Sequence, residues 1–272
     1  MENNIAELKK KKLYLFDMDG TIYLDDKLFD GTKELLGYIK KMGGRYVFIT
    51  NNSSRSVRAY VSKVNKLGVD ALEEDFLTSA DATIMYLKEK RYRKIYVFGT
   101  ESFKEQLREA RLPISDIICD DIDCLCMGFD TELTFQKLED ACILLNEGID
   151  YIATNPDLVC PTSYGYVPDC GSVSEMLYNA TKRKPHFIGK PKPDIIETAI
   201  NKTGFKKEET VVVGDRLYTD IAGGVNAGVS TIFVLSGEGT IEDIEKFNIQ
   251  PEFIFDNVKE VYESLCQYEI GK

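Results

Sequence analysis

Short apolar runs, each the length of a strand, recur along the chain, and between them lie stretches where apolar residues return at every third or fourth position. Runs at residues 13–16, 46–49, 94–98, 122–127, 151–153, 210–213, 231–234 and 253–255 are rich in β-branched and aromatic side chains and read as strands. The three-to-four spacing predicts helices over residues 32–41, 55–67, 80–89, 103–110, 135–147, 174–181, 194–203 and 258–266. Strand and helix in alternation is the pattern of an α/β fold, a doubly wound parallel sheet with helices on both faces.

Three of these runs, and the shorter apolar pair Phe187 and Ile188, lead into polar clusters. Residues 13–23 read LYLFDMDGTIY, so the first run stops at Asp17, with Asp19 one residue beyond Met18 and then Gly20 and Thr21. Residues 46–49 lead into Thr50, Asn51 and Asn52, Phe187 and Ile188 into Gly189 and Lys190, and residues 211–213 into Gly214 and Asp215. Open α/β sheets bind ligands outside the carboxyl ends of their strands, so all four clusters are expected to meet at one sheet edge. Gly20 lets the loop curl, and Asp17 with Asp19 then faces one small anionic ligand held by a cation. Taken singly each cluster has a plainer reading. DMD is a solvated turn, Thr50 and Asn51 a strand end and helix cap, Lys190 a loop lysine, and Asp220 a cap or surface pair.

Taken together and in order, DMDGT, the TNNS that starts at Thr50, the GKPKP around Lys190 and GDRLYTD resemble the signature of the haloacid-dehalogenase-like (HAD) hydrolases. Within that superfamily, ATNPDLVCPT from Ala153 and PDCGS from Pro168 resemble the branch of NagD-like and 4-nitrophenylphosphatase-like phosphatases. Where that branch carries PGxGS, this chain has Asp169 in the second position. The resemblance implies a Rossmann-like HAD core with an inserted α/β cap domain. It implies Asp17 as nucleophile and Asp19 as acid and base, with Thr50, Asn51, Asn52 and Lys190 on the phosphate. It also implies Mg²⁺ on the Asp17 carboxylate, the Asp19 main-chain carbonyl and the Asp215 carboxylate, with Asp220 orienting that set. Asn155, Asp157, Tyr164, Tyr166 and Asp169 are the cap residues it places near the leaving group.

Charge leads to the same cation. Asp17, Asp215 and a phosphate repel one another, by about 4 kcal/mol for two unit charges about 4 Å apart at an effective dielectric of 20. A divalent ion with oxygen ligands offsets this. The first two clusters precede the middle third of the chain and the last two follow it. Residues 79–185 are therefore expected to form the cap, and residues 1–78 with 186–272 a discontinuous core.

Composition narrows the class further. The 272 residues are 43% hydrophobic, enough for a large core, and the formal charge of −11 argues against a nonspecific nucleic-acid binder. The four lysines from Lys9 to Lys12 read as a solvated arm. No run is long enough to span a membrane and no signal-peptide core is present, so the expected location is cytoplasmic. Seven cysteines without a CxxC pair suggest neither disulfides nor a zinc ribbon, and a single histidine, His186, leaves little for histidine-based catalysis. The expected activity is hydrolysis of small phosphate monoesters through an aspartyl-phosphate, with a small phosphorylated metabolite as partner and a homodimer allowed by the resemblance. A phosphorelay-receiver-like signalling module and a phosphomutase share the strand-end aspartate and are the alternatives.

Overall fold

Two sheets organise the computed structural model, which describes residues 4–53, 57–162 and 165–270. In chain order their strands are β1 (Leu13–Phe16), β2 (Arg45–Thr50), β3 (Phe76–Thr78), β4 (Ile95–Phe98), β5 (Ile114–Ser115), β6 (Cys124–Met127), β7 (Asp150–Ala153), β8 (His186–Phe187), β9 (Thr210–Gly214), β10 (Ser230–Val234) and β11 (Phe253–Phe255). Every residue of β1, β9 and β10 is buried, as an apolar run covered on both faces requires.

The first sheet has the order β11-β10-β9-β1-β2-β3. β1 lies in parallel between β9 and β2, with Phe16 opposite Val213 on one side and Phe48 on the other. Strand order therefore reverses between β1 and β9, and the crevice outside their carboxyl ends is the switch point of the sheet. The helices Thr32–Lys41 and Val258–Ile270 pack together, as do Asp194–Thr203 and Ala222–Ala227. This sheet belongs to a compact unit made of Met1–Thr50, Arg58–Leu77 and Lys190–Lys272. Lys11 and Lys12 are tied down within it: the Lys11 ammonium donates to the Glu208 carbonyl at 2.9 Å, and Lys12 lies 3.5 Å from Glu209.

The second compact unit comprises Asn51–Val57 and Thr78–Gly189. Its sheet runs β8-β7-β6-β4-β5, every pairing parallel. Leu125, Met127, Leu144, Leu145, Cys170 and Leu177 belong to its core, and the Cys124 and Cys126 side chains are also buried. The strand ahead of Lys190 departs from the expectation of a single sheet edge. β8 pairs with β7 in this sheet, so Phe187 contributes to the second unit and only the chain from Lys190 onward to the first. A two-residue apolar strand has no pattern that names its sheet; β7 supplies the open edge that decides it. Among the described residues no helix is long and apolar enough to cross a membrane.

Candidate active site

β1 delivers Asp17 to the switch point, and the Asp17 amide donates to Val213 O at 2.8 Å, continuing the parallel ladder one residue past the strand. The loop then closes tightly. Gly20 N donates to Tyr23 O at 2.8 Å and Thr21 N to Met18 O at 3.2 Å, with Gly20 at φ +83°. A Cβ on Gly20 would stand 2.5 Å from Asp215 Oδ2, so glycine is required by both its backbone angle and the closeness of the carboxylate. Three donors and neighbours fix Asp215. Thr21 Oγ1 donates to its Oδ1 at 3.3 Å, the Glu238 amide to its Oδ2 at 2.8 Å, and the Gly239 amide to its carbonyl at 3.0 Å. The loop after β10 is thus part of the site, and Ser236 Oγ ties it to Gly20 O at 2.7 Å. Sequence reasoning did not single out this loop; its signal was the SGEG run after an apolar strand.

Asp220 arrives on a turn, Leu217–Ile221, where Ile221 N reaches back five residues to Arg216 O at 3.2 Å. Gly214 makes room for it: a Cβ there would lie 2.2 Å from the Asp220 Cβ. Asp220 is 1% exposed, and both oxygens are engaged, Oδ2 by the Arg216 amide at 3.1 Å and Oδ1 by the Lys190 ammonium at 2.7 Å. The same ammonium, 2% exposed, donates to Asp17 Oδ1 at 2.6 Å and to Ile49 O at 3.3 Å.

Asp17, Asp215 and Asp220 present oxygens within 4.8 Å of one another. Lys190 touches Asp17 and Asp220, and the Arg216 guanidinium, paired with Glu238 at 2.9 Å, also acts on this cluster, Asp17 most strongly. Burial pushes Asp17 up to about 8, with Lys190 opposing and Asp220 and Asp215 adding. Burial and then the Asp220 charge raise Asp215 to about 6 against the Glu238 amide. For Lys190, burial lowers the ammonium, but Asp17 and Asp220 outweigh it and hold it above its ordinary value. Three carboxylates with oxygens this close form an all-oxygen donor set that fits a hard divalent cation such as Mg²⁺.

The Asp19 side chain is not part of this carboxylate cluster. It is 61% exposed, accepts from the Tyr23 hydroxyl at 3.3 Å and lies 3.7 Å from the Lys63 ammonium. Thr50 ends β2 beside β1 in the first unit, whereas Asn51 and Asn52 open the segment that clusters with the second. There the Asn51 carbonyl accepts from Ser79 Oγ at 2.6 Å, and Ser53 Oγ accepts from the Phe129 amide at 3.1 Å.

Three of the expected cap residues, Asn155, Asp157 and Asp169, form a polar knot of their own. Asn155 Nδ2 donates to Asp157 Oδ2 and Asp169 Oδ1, each at 3.2 Å. Asp169 also caps the helix Cys170–Thr181, accepting from the Cys170 amide at 2.5 Å, which accounts for a carboxylate at a position where the resembled pattern has glycine. Burial raises Asp169 to about 6. Tyr166 is exposed on a two-stranded antiparallel ribbon, and Tyr164 lies outside the described residues.

Comparison with known proteins finds relatives that match almost the whole chain. A model of the haloacid dehalogenase-like hydrolases matches residues 14–112, and a second, HAD-hydrolase-like model matches residues 187–261. An acid sugar phosphatase of Staphylococcus aureus is 34% identical over 259 residues, 95% of this chain and 99% of that protein. Among solved structures, 4-nitrophenylphosphatase from Thermotoga maritima superposes with a TM-score of 0.88 at 40% identity, covering 95% of this chain and 99% of that one. NagD from Escherichia coli K-12 gives 0.85 at 34% identity, covering 92% and 98%.

Proposed function

Because the chain belongs to the haloacid-dehalogenase-like hydrolases and is a NagD-like phosphatase, we propose that it hydrolyses small phosphate monoesters with Mg²⁺, through an aspartyl-phosphate on Asp17. The observation that supports this most directly is the trio of Asp17, Asp215 and Asp220 within 4.8 Å at the switch point, with buried Lys190 joining two of them. Asp17, the Asp19 main-chain carbonyl and Asp215 would hold the cation, whose chemistry is to neutralise phosphoryl and carboxylate charge.

In the first half-reaction an Asp17 oxygen bonds to phosphorus as the ester P–O bond breaks. The bonding pair leaves on the ester oxygen, which takes a proton from Asp19. In the second, water bonds to phosphorus and gives its proton to Asp19, and the P–O bond to Asp17 breaks, restoring the carboxylate and releasing inorganic phosphate. Lys190 stabilises the phosphoryl oxygens, and Thr50 with the Asn51 and Asn52 amides donates to them. The first compact unit acts as the core and the second as the cap. The S. aureus relative is named for sugar phosphates and the T. maritima one for 4-nitrophenyl phosphate, and both classes belong in the first substrate panel.

The test is phosphate release from that panel with Mg²⁺ and with chelator, comparing wild type with Asp17→Asn. The expected result is turnover that disappears in chelator and in the variant, with the variant folded by circular dichroism. Near-normal turnover by Asp17→Asn would falsify the nucleophile assignment. Accumulation of stable phosphoprotein would favour the receiver alternative, and phosphate moved to a second sugar hydroxyl the phosphomutase.

A further inference from the structure

Asp19 is the acid and base in the reading above, yet at 61% exposure nothing in its own loop confines its side chain. What confines it comes from two other elements. Tyr23 stands on the short antiparallel ribbon Tyr23–Leu24/Lys27–Leu28 with its ring fully buried, and its hydroxyl donates to Asp19 Oδ2 at 3.3 Å. Lys63, on the helix Val57–Lys66, places its ammonium 3.9 Å from the Tyr23 ring centroid and 3.7 Å from Asp19 Oδ1. The Lys63 side chain is only 21% exposed, and the ring face fixes where its ammonium can stand. One carboxylate oxygen therefore accepts from a hydroxyl while the other lies within ion-pair range of an ammonium.

We propose that Lys63 and Tyr23 are positioning residues that hold the Asp19 carboxyl in a single orientation, so that proton delivery to the leaving oxygen does not await a side-chain search. The proposal rests on the acid role of Asp19 given above. The main-chain bond from Gly20 N to Tyr23 O, at 2.8 Å, closes the loop independently of the hydroxyl, so Tyr23→Phe removes the donor and leaves the loop shape. Lys63→Met removes the charge and keeps the stem on the ring.

A structural role and a positioning role separate by leaving group. 4-Nitrophenolate departs as a stable anion and needs little help from an acid, whereas an alkoxide, as from glycerol phosphate, needs its proton. The quantity to measure is kcat/KM, which reports steps up to the first irreversible one, for both substrates in wild type, Asp19→Asn, Lys63→Met, Lys63→Arg and Tyr23→Phe. Asp19→Asn sets the full discrimination, a loss far greater on the alkyl ester. Lys63→Met and Tyr23→Phe are expected to lose about three- to tenfold more on the alkyl than on the aryl ester, the scale of releasing one fixed side chain. Lys63→Arg, which keeps charge and ring contact, restores most of it. Equal factors on both esters, with Asp19→Asn discriminating, overturn the positioning role alone. An Asp19→Asn variant that does not discriminate overturns the acid role and this inference with it.

Discussion

Lys190→Met takes the ammonium out of the site and leaves a side chain of similar reach. The ammonium stands 2.6 Å from Asp17 and 2.7 Å from Asp220 and is 2% exposed, so the variant strands two buried carboxyls. Removing one partner of a buried ion pair costs about 3–5 kcal/mol. Lys190 holds the Asp17 carboxyl below where burial alone would push it, so without the ammonium that carboxyl stays protonated to still higher pH. The sign follows: an acid raised in the fold favours the protonated state, so its stability is present at acid pH and lost as pH rises. The deficit of the variant should be largest at pH 8 and smallest at pH 5. At about 2–4 °C per kcal/mol for a chain of this size, the thermal midpoint at pH 7 falls by roughly 6–20 °C. Thermal unfolding by circular dichroism, in chelator at pH 5, 7 and 8, reads it. A midpoint within about 2 °C of wild type at pH 8, or a deficit that grows toward pH 5, refutes the argument.

Three further outcomes are expected. Gly214→Ala puts a Cβ 2.2 Å from that of Asp220, and the forced shift should cost about 1–3 kcal/mol in urea unfolding and lower phosphate release; an unchanged midpoint counts against the packing argument. Stabilisation by added Mg²⁺, read as a shift in thermal midpoint, should grow from pH 5.5 to pH 8. Protons on Asp215, raised to about 6, and Asp17, raised to about 8, compete with the cation at the acid end. A flat response would speak against these two as ligands. Asp169→Asn keeps a helix-capping oxygen and removes a carboxylate that burial has raised to about 6. Stability due to the protonated carboxyl is lost as pH rises from 3.8 through 6, so the variant gains up to about 3 kcal/mol at pH 8 and less at pH 5, by the difference in thermal unfolding.

The strands that build the site were legible because they are buried on both faces and therefore read as unbroken apolar runs. The reading at 13–16 coincides with β1, and 210–213 and 231–234 fall within a residue of β9 and β10. Asp17 and Asp215 could be named from the residues that stop those runs, and Lys190 and Asp220 from the motif order. What the sequence concealed depends on partners remote along the chain. β5 and β8 are two residues long, and each exists because a neighbouring strand offers an edge. The helix expected from residue 174 begins at Cys170, because Asp169 caps it. Lys63 has an ordinary helical position in the sequence, and only the fold sets its ammonium over Tyr23 and beside Asp19.

The register of the central strand also sets a schedule for synthesis. Leu13 of β1 pairs with Thr210 of β9, and the stretch between them contains the whole second unit. At about 5–20 residues per second, β9 leaves the ribosome roughly 10–40 seconds after β1. Through that interval β1 has β2 as its neighbour, and its other edge, buried in the finished sheet, stands open to any extended chain nearby. A nascent chain stalled before Lys190 would hold Asp17 on an unfinished sheet, lacking that lysine and both Asp215 and Asp220. It would be inactive and prone to edge pairing at once, which makes the long return to β9 a point where translation speed and chaperone supply bear on yield.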